Sequence, residues 1–322
     1  MFDFEIWSDN ENEADWFVSL DTRLSEAKIR KIAARGQNPT YIESLVVYDR
    51  PDVVLVINGK PSLVLEKTQE VPTGHNVGQR FARLARAVEH TVPVLYFLPF
   101  DARKHGVYSS MCNLNARLLR ALQNISSIHS SPAVAVNWPC DSSGNLIWDG
   151  RENERVSKLV SELLDSGHPG VSWQAQLKLQ EDEWKRRTTI RPEYAAFPNS
   201  VAKYRTSELE DYFKGDFSRC SPKILSRSDS VVYTMDMSPE KCRRQDPYTG
   251  MQFIYDYGWL RTGRTPADRH SNFFLSVPQV DLETWTRLNP NDPTTKSCNW
   301  YLVADGIFLK DDFILMNSWP HL

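Results

Sequence analysis

Residues 51–68 constrain the fold of this chain more than any other stretch. Two apolar runs, Val53-Val54-Leu55-Val56-Ile57 and Leu63-Val64-Leu65, flank Asn58-Gly59. Asn-Gly between apolar runs is the strongest short-range signal for a β-hairpin, because both central residues of a type I′ turn take positive φ. Such a hairpin puts Asp52 early on its first strand and Glu66 late on its second. Antiparallel pairing then brings the two carboxylates together at one rim of an otherwise apolar sheet. The competing reading of Asp52 is a turn residue after Pro51. Glu66 is harder to dismiss, because it follows Leu63-Val64-Leu65 and burying an unpaired carboxylate is costly. Two converged carboxylates are what a hard divalent cation needs.

The elements around the hairpin follow from periodicity. Residues 22–35 gather Leu24, Ala27, Ile29 and Ile32 on one helical face, with Gly36 as a stop. Asn38-Pro39 opens a second helix to about Val47, which carries Glu43. A third helix covers residues 76–90, and Val92 to Phe100 reads as a buried strand. Helices over 110–125, 151–166 and 172–187 and a strand over 133–138 complete the first part. Residues 1–20 read as an edge strand or an irregular lead-in, and 201–213 as helical. Strands are expected over 230–237, 300–304 and 306–309, and a strand or short helix over 251–257. The expected class is α/β: a mixed central sheet flanked by helices, with a larger irregular α+β C-terminal part. Helical periodicity stops within 187–198, so we divide the chain into 1–190 and 191–322, the second part either separate or packed on the same core.

Composition sets limits. The 322 residues carry a net charge of −3, so any nucleic-acid contact must come from a local basic patch. Five cysteines, with no Cys-x-x-Cys pair, favour reduced thiols over a disulfide framework or a zinc site. There is no long apolar run and no signal-like N-terminus, which points to a cytoplasmic protein and away from a membrane. Gly-x-Ser-x-Gly, His-Glu-x-x-His and dinucleotide fingerprints are absent.

Pro51-Asp52 on one strand and Glu66 beside Lys67 on the next resemble the PD-(D/E)xK nuclease superfamily, with its restriction-endonuclease-like core. The resemblance covers roughly residues 40–100, including the order hairpin, crossover helix, added parallel strand. It implies a Mg²⁺-dependent endonuclease acting on double-stranded DNA as a homodimer. Asp52 and Glu66 are the implied metal ligands, with the Lys67 carbonyl as a further one. Lys67 is the implied catalytic lysine, and Glu43 the accessory acid. The lysine departs from the pattern: the motif places it two residues after the acid, where this chain has Thr68. Strand alternation turns Lys67 away from Glu66. A bulge at Lys67, Thr68 itself, or a basic residue from elsewhere such as Lys60 or Arg80 are the ways to fill that role. A degenerate, non-catalytic nucleic-acid-binding protein is the alternative, and a nuclease acting on RNA or repair intermediates a third reading.

The helix after the hairpin carries Gln79, Arg80, Arg83 and Arg86. We expect the first three to contact phosphates, with an ordinary solvated face as the competing reading. Arg243, Arg244, Arg261 and Arg264 lie beside turn residues in the second half and suit base-edge and phosphate contacts, again against a reading as surface loops.

Overall fold

A computed structural model describes residues 2–34, 36–47, 49–72, 75–103, 110–195, 201–209, 222–235, 271–288 and 304–315. Its class is α/β, as the sequence implied, with mixed sheets and helices against them. The first sheet has six strands: β1 (Phe4–Ser8), β2 (Lys28–Lys31), β3 (Val53–Ile57), β4 (Lys60–Lys67), β5 (Val94–Leu98) and β8 (Ala133–Asn137). Their order is β2-β1-β3-β4-β5-β8. Only β3 runs against its neighbours; β2 is parallel to β1, β5 to β4 and β8 to β5. The carboxyl ends of five strands and the start of β3 therefore share one edge.

The β3–β4 hairpin forms as the Asn-Gly signal requires, with φ of 51° at Asn58 and 75° at Gly59. Strand alternation sorts the hairpin's apolar residues onto two faces. Val54, Val64, Val94 and Tyr96 pack under α3 (His75–Glu89), through Val77, Phe81, Leu84 and Val88. Val53, Leu55, Leu63, Leu65 and Phe97 face α1 (Glu11–Val18) and α5 (Glu154–Ser166). Both faces of the sheet are thus covered, and each of the core strands is apolar on both sides. The β8 edge is closed by α6 (Val171–Ile190): Gln180 Oε1 accepts from the Ala135 amide at 2.7 Å, and Gln176 Nε2 donates to the Ala135 carbonyl at 2.6 Å.

α2 (Thr40–Glu43) precedes the hairpin, and α4 (Ala116–His129) packs beside α3 on the same face. A short pair, β6 (Asp101–Arg103) with β7 (Met111–Asn113), lies between β5 and α4 in the chain. A second sheet is built wholly after residue 200, in the order β13-β12-β11-β10-β9. Its strands are β9 (Val201–Arg205), β10 (Asp229–Thr234), β11 (Asn272–Val277), β12 (Gly306–Leu309) and β13 (Phe313–Leu315). Val231, Tyr233, Phe273 and Leu275 of this sheet join the same buried cluster as Val64 and Tyr96.

Three expectations are corrected. Residues 22–35 are not a helix. Asp21 caps a short 3₁₀ turn, Thr22–Glu26, and the chain then pairs with β1 as the exposed edge strand β2. Pairing there overrides the helical spacing, and Ile29 stays 48% exposed. Residues 201–205 form β9 rather than a helix, because Val-Ala-Lys-Tyr-Arg alternates and pairs antiparallel with β10. Residues 4–8 are not an edge but lie inside the sheet, between β2 and β3. The expected elements at 251–257 and 300–303 lie outside the described residues. Among the described residues no helix is long and apolar enough to cross a membrane.

Candidate functional site

The carboxyl edge of the first sheet is where open α/β sheets place their ligands. There the start of β3 brings Asp52 against the end of β4. Asp52 Oδ2 accepts from the Lys67 amide at 2.7 Å, and Ser8 Oγ, at the end of β1, donates to the Asp52 carbonyl at 2.7 Å. Asp52 is thereby pinned between two strand ends.

Glu66 is fully buried on the α3 face. Burying it without cations would be prohibitive, and α3 supplies two guanidiniums from successive turns. Arg83 Nη1 donates to Glu66 Oε1 at 2.5 Å and to Asp52 Oδ1 at 3.3 Å, while its Nε donates to Asp49 at 2.9 Å. Arg80 Nη1 lies 2.9 Å from Glu66 Oε1, 3.1 Å from the Lys67 carbonyl and 3.8 Å from Asp52 Oδ2. Both carboxylates therefore converge on the same nitrogens. Glu66 Oε2 is buried with no hydrogen-bond partner among the described residues. The same holds for the hydroxyl of Tyr96, the residue paired with Glu66 across β4 and β5. Burial pushes the Glu66 carboxyl up to about 8, against Arg83 and Arg80, which pull it down. Burial likewise raises Asp52.

Lys67 points to the opposite face. β4 stays regular there, pairing Glu66 with Tyr96 and Lys67 with Phe97; the irregularity in the hairpin falls instead opposite Leu55 and Val56. Lys67 Nζ sits 3.9 Å from the Trp16 ring centroid and 5.6 Å from that of Trp138. Phe97 stacks between those two rings, with centroids 5.9 and 4.5 Å away. Partial burial lowers the Lys67 pKa, while Glu13, Asp52 and Glu152 act to raise it. Glu13, on α1, is pushed up to about 7 by burial and by the charges of Asp52 and Asp9. Asp52, at the junction, thus links an acid–guanidinium box on one face with a lysine–aromatic box on the other.

The residues named from sequence separate clearly. Asp52, Glu66, Lys67, Arg80 and Arg83 come together. Gln79 lies on the same helix, α3. Glu43 does not join them: its carboxylate accepts from the Gly36 amide at 2.6 Å and from Asn38 Nδ2 at 2.9 Å, closing the loop before α2. Thr68 does not fill the lysine position, since its hydroxyl donates to the Glu70 carbonyl in a local turn. Lys60 is exposed at the far end of β4, so of Lys60 and Arg80 it is Arg80 that stands beside Glu66. Arg83 is 11% exposed and bound to three acids, and Arg86 donates to the Ser44 carbonyl at 2.7 Å. These arginines therefore face inward rather than out to solvent. Arg243, Arg244, Arg261 and Arg264 lie outside the described residues.

Sequence reasoning does not reach Glu13, which sits in an ordinary acidic surface run, Glu11-Asn12-Glu13. The one signal for it is helical spacing, since Glu13 lies one turn before the fully buried Phe17 and next to the fully buried Ala14. Tyr96 is hidden in an apolar strand, and only its register with Glu66 marks it.

Among the described residues no three His, Cys, Asp or Glu side chains are grouped to hold a metal. The oxygen set that does converge is Asp52, Glu66 and the Lys67 carbonyl, with Glu66 Oε2 to spare. All are hard oxygen donors, the kind Mg²⁺ takes, and Arg80 and Arg83 stand against them. Compared with family models, curated proteins and solved structures, the chain matches none.

Proposed function

We propose that this chain is a Mg²⁺-dependent endonuclease that hydrolyses phosphodiester bonds in double-stranded DNA. The observation that carries the reading is the approach of Asp52, Glu66 and the Lys67 carbonyl to one cationic nitrogen, Arg80 Nη1, at the carboxyl edge of the sheet. The order hairpin, helix, parallel strand over β3, β4, α3 and β5 supports it. In this reading Asp52, Glu66 and the Lys67 carbonyl hold the cation. When bound, the cation supplies positive charge at the scissile phosphate and makes water a nucleophile near neutral pH.

The remaining work falls to the chain's own side chains. Lys67, held over Trp16 on the opposite face, acts on the site through Asp52, the carboxylate both faces share, and the attacking water loses its proton to solvent. Glu13 lies on that face too and couples electrostatically to Asp52 and Lys67. Arg83 keeps the two carboxylates apart from solvent and in register. The region after residue 190 supplies sequence recognition, the enzyme acts as a homodimer in the cytoplasm, and cleavage is at defined sites as in a restriction system. The test is incubation of duplex DNA with the protein and Mg²⁺. Discrete fragments, lost in Asp52→Asn and Glu66→Gln, support the proposal. A smear supports nuclease chemistry without sequence specificity.

A second reading rests on a specific observation. Arg80 and Arg83 already neutralise both carboxylates. A protein that binds nucleic acid without cutting it needs nothing more at this position. DNA binding without cleavage, retained in Asp52→Asn, supports that reading.

A further inference from the structure

Arg80 stands where the proposed cation belongs. Its Nη1 is 2.9 Å from Glu66 Oε1, 3.1 Å from the Lys67 carbonyl and 3.8 Å from Asp52 Oδ2. These are the same three oxygens that the proposed function assigns to the metal. Arg80 and Arg83 differ in how they are held. Arg83 has a second anchor outside the site, Asp49, bonded through both Nε and Nη2 at 2.9 Å. Arg80 reaches Glu66 and the Lys67 carbonyl through the same nitrogen, Nη1, and its side chain keeps 25% of its exposure against 11% for Arg83. One guanidinium is a fixed strut, while the other enters the site by its tip and has solvent beside it.

We propose that Arg80 is a resident counter-ion, occupying the cation position in the metal-free protein and displaced from it when a divalent cation binds. The inference rests on the metal-site reading above and adds the regulation of that site. A buried pair of carboxylates cannot be left bare between metal-binding events, because uncompensated buried charge is strongly destabilising. Arg80 supplies the compensation from within the chain. Displacement turns its tip toward solvent at the carboxyl edge, where a phosphate of the substrate can take the place of the carboxylates as its partner. Arg83 stays in place throughout, since three acids hold it.

The test is Mn²⁺ binding, followed by isothermal titration calorimetry and by loss of the free-ion EPR signal, on the full chain without DNA. Arg80→Gln keeps a polar side chain at the position and removes the competing charge. It is expected to bind Mn²⁺ roughly tenfold to a hundredfold more tightly than the parent, the scale of one charge-assisted hydrogen bond. Asp52→Asn is expected to abolish binding in both backgrounds, which locates the ion. Equal or weaker binding by Arg80→Gln, with the parent binding, overturns the role of Arg80 and leaves the metal site standing. No Asp52-dependent Mn²⁺ binding by parent or variant at millimolar ion overturns both. Should Arg80→Gln fail to fold by circular dichroism, guanidinium hydrogen exchange in the parent decides. Mg²⁺ is expected to speed exchange at Arg80 and leave Arg83 slow; unchanged exchange at Arg80 overturns the proposal.

Discussion

Glu66 and Lys67 are consecutive residues at the end of one strand, yet they enter opposite environments. Glu66 turns into a box of two guanidiniums and a tyrosine and has no exposure at all. Lys67 turns onto a floor of Trp16, Phe97 and Trp138 and remains half-buried. The difference lies in how each charge is compensated. On the α3 face, charge is neutralised by fixed partners at hydrogen-bond distance. On the α1 face, a cation rests on π-faces and feels the fields of Glu13, Asp52 and Glu152.

The sharpest way to break this comparison is to remove one member from each face. Arg83→Ala leaves Glu66 and Asp52 under-compensated, and urea unfolding is expected to show a loss of about 3–5 kcal/mol. Lys67→Met keeps an apolar stem over Trp16, and its stability cost is expected to be about 1 kcal/mol, the scale of a partly exposed cation–π contact. Equal losses at the two positions contradict the distinction. Cleavage should rank them in the same order, with Lys67→Met the milder, because the Lys67 side chain reaches the site only through the field at Asp52.

A smaller effect comes from pH. Glu13 has a folded-state pKa above the ordinary 4.5, about 7. Its contribution to stability is therefore complete below about pH 4.5. It is lost as pH rises through about 7. Urea midpoints measured from about pH 5 to 9 are expected to fall across this window. Glu13→Gln should flatten the fall. A midpoint that rises over the same window runs against this account. The smallest expected effect is at Glu43. Glu43→Ala removes hydrogen bonds to the loop at 36–38 and is expected to cost about 1 kcal/mol, with cleavage unchanged.

Much of this was legible in the sequence because it is local. Asn58-Gly59 names its own turn, and the apolar runs beside it alternate onto two covered faces. Alternation also foretold that Lys67 faces away from Glu66, which follows from the strand's period alone. What escaped was set by partners distant in the chain. Residues 28–31 look helical until β1 is there to pair with them. Glu43 and Glu13 are both helix glutamates, and only the packing of α1 on the sheet distinguishes them. The arginines of α3 carry the spacing of a phosphate-binding face. Their inward turn depends on Asp49, Asp52 and Glu66 already standing at the end of the hairpin.

The most direct test of the central claim is cleavage of duplex DNA by the purified chain with Mg²⁺, beside Asp52→Asn and a chelator control. The account predicts discrete fragments with the parent and Mg²⁺, and intact DNA with either the substitution or the chelator. Intact DNA under all conditions, or fragments that persist in Asp52→Asn, would contradict it.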